Sequence, residues 1–206
     1  MTACGSSSRR ACGPVGPAVN FEACVSLAEM VDLYLLVWGD RPARELAWWG
    51  DRSLTFDQVC RRTMFMLEGE GKRDRHQRRH SAEDLTSLGQ RLAAHEPSLR
   101  LDRGFEGLRL AVEAAFGLSP GRSPLLVYDV THRLGCYLGR PAEHVYLHAG
   151  PRVGAERLKP GLGRLRRLDP RDPGQLPTSL RTRLAPDQIE NFLCVARRAL
   201  HAGLWD

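Results

Sequence analysis

Lysine is nearly missing from this chain. Of thirty basic residues only Lys72 and Lys159 are lysine, so the formal charge of +6 is carried almost wholly by arginine. Guanidinium groups stay ionised and pair bidentately with phosphate or carboxylate, and an excess of them favours an anionic partner. Heavy use of Arg, Ala, Gly and Pro equally fits a GC-rich coding sequence. No run of eighteen apolar residues occurs, so no membrane span is expected. The six cysteines form no C-x-x-C pair and no tight cluster; they read as small thiols in apolar helical patterns and point to a reducing compartment. Alternating β-branched runs and Asn-Gly or Asp-Gly turns between apolar strings are absent too, which argues against a sheet protein. Arg9 and Arg10 are followed by no continuous apolar stretch, so no secretory leader is expected. Residues 1–19 read as a disordered tail, and the protein as cytoplasmic.

What is present is helical periodicity. With 42% hydrophobic and 26% charged residues over 206 positions, the chain suits one soluble domain with its own core, expected over residues 20–206. From Asn20, a plausible cap, apolar residues recur at Cys24, Leu27, Met30, Val31, Tyr34, Leu35 and Trp38 before Gly39. Further helices are predicted after Pro42, after Ser53, from Ser81 with two carboxylates in its first turn, over 105–117, from Ser123 with Pro124 at the first helical position, after Pro141, and from Pro186 with Ile189, Leu193, Ala196 and Leu200 on one face. The expected fold class is all-α, a single globular domain of about eight to ten helices. Basic segments near 68–80 and 158–177 break the pattern and are expected to be exposed, mobile loops.

Candidate chemistry concentrates in few places. His144 and His148 are four apart, and with His132 they would suit a metal-dependent hydrolase if the three imidazoles converged; capping or surface roles are the plainer reading, and no metal or cofactor is expected. His132 and Cys136 share the same spacing, but Cys136 lies between Leu134 and Leu138, a poor setting for a nucleophile. Arg73, Arg75, Arg78 and Arg79, with a second group at Arg164, Arg166 and Arg167, could hold a phosphate backbone by salt-sensitive contacts; a solvated loop is the alternative. An exposed Trp48/Trp49 pair could stack bases, though such residues more commonly pack inside. Asp129 sits among Val127, Tyr128 and Val130, with Arg133 one turn on as a ready ion-pair partner.

The stretch LDRGFEGLRLAVEAAFGLSPGRSPLLVYDVTHRLGCYLG, residues 101–139, resembles the central segment of helix-hairpin-helix DNA glycosylases of the endonuclease III type. The resemblance puts Gly104 at the second hairpin glycine, contacting DNA, Ala114 to Gly117 at the end of the following helix, and Asp129 at the acid that supports base excision. It implies a glycosylase-like helical fold and DNA as partner. Three positions depart from the pattern. Asp102 replaces the first hairpin glycine and sets a carboxylate where an amide should meet phosphate. Glu106 stands where bifunctional members carry lysine, so no lyase step is expected. Cys194 is alone where four cysteines would hold an iron–sulfur cluster. The expectation is therefore a monofunctional or catalytically inactive DNA-associated protein. The alternative is a helical binding or regulatory module whose basic face meets a protein, a membrane surface or RNA.

Overall fold

The computed structural model describes residues 19–65, 67–68, 72–73, 80–101, 103–117 and 123–206. Its elements run α1 (Leu27–Trp38), α2 (Arg41–Trp49), α3 (Phe56–Met64), β1 (Leu67–Glu68), β2 (Lys72–Arg73), α4 (Ala82–Ala94), α5 (Glu96–Arg100), α6 (Gly104–Phe116), α7 (Pro124–Leu138), β3 (Val145–Tyr146), α8 (Ala149–Leu158), β4 (Arg167–Leu168), α9 (Thr178–Arg181) and α10 (Pro186–Val195). The expected all-α class holds: the strands are two residues each, in the antiparallel pairs β1–β2 and β3–β4.

Helix starts follow local chemistry. Ser26 accepts from the amide of Glu29 at the head of α1, and Ser81 does the same for Asp84 at the head of α4. At α3, Thr55 and Gln58 bond each other's backbone amides reciprocally. Several expected boundaries shift. Asn20 caps a single 3-10 turn, Phe21–Ala23, rather than α1. Thr55 rather than Ser53 opens α3. Ser123 precedes Pro124 in a left-handed conformation, φ 54°, and makes no side-chain cap. No helix opens at Pro141; β3 comes first, paired in register Val145↔Leu168 and Tyr146↔Arg167, and α8 begins only at Ala149. Residues 158–177 are not a detached loop either, because Leu162, Leu168 and Leu176 are buried in the core.

Two hydrophobic clusters result. One joins α1, β3, α8, β4, α9 and α10 around Tyr34, Trp38 and Phe192, and the other joins α3, α4, α6 and α7 around Phe56, Leu92 and Phe116. A small aromatic group, Phe105, Tyr128 and Tyr146, lies apart from both. α8 packs closely on α10, where a Cβ on Gly154 would stand 2.1 Å from the Leu193 carbonyl oxygen. Only glycine lets the backbones approach that closely.

Candidate functional site

Charged side chains from α2, α7 and α10 meet in a polar seam. Arg41 Nε donates to Glu45 Oε1 at 2.8 Å, one helical turn away, and Glu45 Oε2 lies 3.1 Å from His132 Nε2. One ligand-capable atom from each of Glu45, His132 and Asp187 lies within 4.8 Å of the other two. Burial works against ionisation of Glu45, but the His132 hydrogen bond and the neighbouring cations outweigh it and hold the carboxyl at about 2, below its ordinary 4.5. Burial likewise opposes a charged imidazole at His132; the Glu45 hydrogen bond and charge overcome it, so its pKa is raised above 6.5.

A second buried pair lies one turn further along α10. His148 Nε2 stands 2.9 Å from Glu190 Oε1, with 7% of the histidine exposed. The separation is that of an ion pair, and neither ring nitrogen makes a directed hydrogen bond. The Tyr128 ring touches both imidazoles, with centroids 6.1 Å from His132 and 5.1 Å from His148. Asn191 donates to the Tyr34 hydroxyl at 3.1 Å. The arrangement holds acids, bases and metal-ligating atoms in a largely water-excluded place.

The three expected imidazoles therefore divide. His132 joins Glu45, His148 joins Glu190, and His144 joins neither pair. The helical spacing of His144 and His148 is not realised, because β3 extends the chain between them. Cys136 is no nucleophile: burial, with the charges of Glu45 and Asp187, pushes its thiol to about 12.

No family model matches the chain, and no curated protein or solved structure is significantly similar to it. The glycosylase resemblance thus rests on residues 101–139 alone.

Within that stretch Asp129 Oδ2 lies 3.9 Å from Arg133 Nη2. Arg133 is almost fully buried, donates from Nη1 to the Thr63 carbonyl at 2.7 Å, and lies over the Trp49 ring. Of the tryptophan pair, Trp49 is buried and Trp48 is covered on one face by the Arg62 guanidinium at 4.3 Å, so the two do not form an exposed stacking platform. Gly104 opens α6 with φ +63°, a left-handed conformation that favours glycine. A Cβ there would stand 2.9 Å from a Glu143 carboxylate oxygen.

Arg164, Arg166 and Arg167 are exposed on the segment leading into β4. Arg167 Nη1 lies 3.5 Å from Glu106 Oε2, and Tyr146, its partner across the β3–β4 pair, donates to that same carboxylate oxygen at 2.7 Å. These contacts fasten the arginine segment to the first turn of α6, beside Gly104 and the exposed Arg103. Of the other group, Arg73 lies in β2, and Arg75, Arg78 and Arg79 fall outside the described residues. Sequence reasoning missed Glu45, Asp187 and Glu190. The Arg41/Glu45 spacing was the one available signal, since the partners lie far off in the chain.

Proposed function

We propose that this chain binds the phosphate backbone of nucleic acid through the face joining the first turn of α6 to residues 164–167, without base-excision chemistry of its own. The observation that carries this reading is the double tie of Arg167 and Tyr146 to Glu106, which fastens the segment bearing the exposed Arg164 and Arg166 to the first turn of α6, next in the chain to the exposed Arg103. Arg164 and Arg166 pair with no carboxylate among the described residues. Glu106 and Glu143 already meet the positive end of α6, so phosphate contact falls to guanidinium groups rather than to hairpin amides. Asp129, set against a buried arginine that has its own carbonyl and aromatic partners, supports a structural part for that acid.

The test is a salt titration of binding to a short DNA duplex by fluorescence anisotropy, with the triple variant Arg103→Ala, Arg164→Ala, Arg166→Ala alongside. Removing three phosphate contacts should flatten the log K against log salt slope by about 2 to 3. Equal affinity and slope in both proteins would remove this reading. Release of free base from duplex substrates by the wild type, abolished in Asp129→Asn, would restore the excision reading.

A further inference from the structure

We propose that Glu45, His132 and Asp187 form a binding site for one divalent first-row transition-metal ion. This goes beyond the polyanion surface and does not depend on it.

The geometry is the first support. The three ligand-capable atoms come from three separate helices, α2, α7 and α10, and already lie within 4.8 Å of one another. Ligand bonds of about 2.0–2.2 Å put neighbouring donor atoms roughly 3 Å apart around a metal. The His132 Nε2 to Glu45 Oε2 separation is 3.1 Å, and only a modest inward movement of Asp187 completes the set. Glu45 can serve in both bonds at once, Oε1 toward Arg41 and Oε2 toward the ion. In the metal-free protein a proton bridges His132 and Glu45; the ion takes the place of that proton, which leaves to solvent.

Charge is the second support. Glu45, Asp187 and Glu190 bring three carboxylates against two cations, Arg41 and the protonated His132, so an excess of negative charge remains for an ion to offset. Beside them His148 is more than nine-tenths buried and neither of its ring nitrogens makes a hydrogen bond. It borders Glu190, one helical turn from Asp187 on α10. One imidazole with two carboxylates suits zinc, manganese or ferrous iron better than calcium or magnesium, which prefer all-oxygen sets.

The experiment uses the full chain stripped with a chelator and titrated with Co(II) alone, followed by visible absorption and calorimetry. One Co(II) per chain is expected, with d–d bands that one equivalent of Zn(II) abolishes. Asp187→Asn and His132→Asn should each weaken Co(II) binding at least tenfold, with far-UV circular dichroism confirming that they fold; His201→Asn, at an exposed histidine, should bind as the wild type does. If either seam variant fails to fold, wild-type Tm with and without one equivalent of metal decides, an upward shift being expected. No stoichiometric Co(II) binding, no Tm shift, or unchanged binding in both folded seam variants overturns the proposal.

Discussion

At the scale of the residue, the buried groups take on chemistry that solvent would not permit. Cys60 and Cys136 are both pushed to about 12, chiefly by burial, so neither forms a useful fraction of thiolate near neutrality. Iodoacetamide at pH 8 should leave both unmodified in the native protein and label both after denaturation, as read by peptide mass spectrometry. Arg133 offers a second case. Its guanidinium serves the Thr63 carbonyl, the Trp49 ring and Asp129 together. Arg133→Met should cost about 2–4 kcal/mol in chemical denaturation, because the Thr63 carbonyl, the Asp129 carboxylate and the Trp49 ring each lose a contact with the buried guanidinium. Asp129→Asn should cost about 1 kcal/mol, since a neutral amide can still accept from Arg133. Had Asp129 served catalysis rather than packing, the order of these stabilities would give no reason to be so.

At the scale of the element, what was legible was periodicity and what was not was pairing. Leu27, Met30, Val31, Tyr34 and Trp38 announce α1 and are all buried, and Ile189 and Leu193 do the same for α10. A reader of residues 141–148 sees proline and polar groups and has no means of knowing that Arg167–Leu168 lies alongside, so β3 passes unnoticed. The 158–177 segment misleads for a related reason: Pro160, Gly161, Gly163 and its arginines read as a loop, yet tertiary contact buries Leu162, Leu168 and Leu176. For the site, His132 stood out by type, while Glu45 looked like an ordinary surface acid until the fold brought it across eighty-seven positions. Glycines separate two kinds of constraint at this scale. Gly154→Ala should lower stability by about 1–3 kcal/mol or more, because the new methyl must push α8 off α10. Gly161→Ala meets no atom within 4 Å but must hold φ near +95°, and should cost about 1–2 kcal/mol through backbone strain alone. Thermal melts of the two variants, with a structure or amide exchange of the α8–α10 contact, distinguish repacking from local strain.

At the scale of the whole molecule, the polar seam makes stability depend on pH from both sides. Glu45 is held at about 2 against an ordinary 4.5, so its contribution is present above pH 4.5 and is lost as pH falls toward 2. His132 is raised above 6.5, so its contribution is full below that value and is lost as pH rises through the folded-state pKa. Denaturation of chelated protein across pH 2–9 should therefore show Glu45→Gln flattening the acid limb, and the same substitution should remove the decline on the alkaline side. Among the described residues no helix is long and apolar enough to cross a membrane.

The bond between Asn191 and Tyr34 spans 157 positions of chain, and Phe192 packs edge-on against the same tyrosine. During synthesis Tyr34 of α1 emerges from the ribosome long before the helix that supplies these partners. At about 5–20 residues per second the delay is on the order of ten to thirty seconds. For that interval Tyr34 lacks its native partners Asn191 and Phe192, and the nascent protein is exposed to capture by chaperones or to association with its own kind. A stop codon placed just before Pro186 should trap the chain in that state and deliver it to the insoluble fraction.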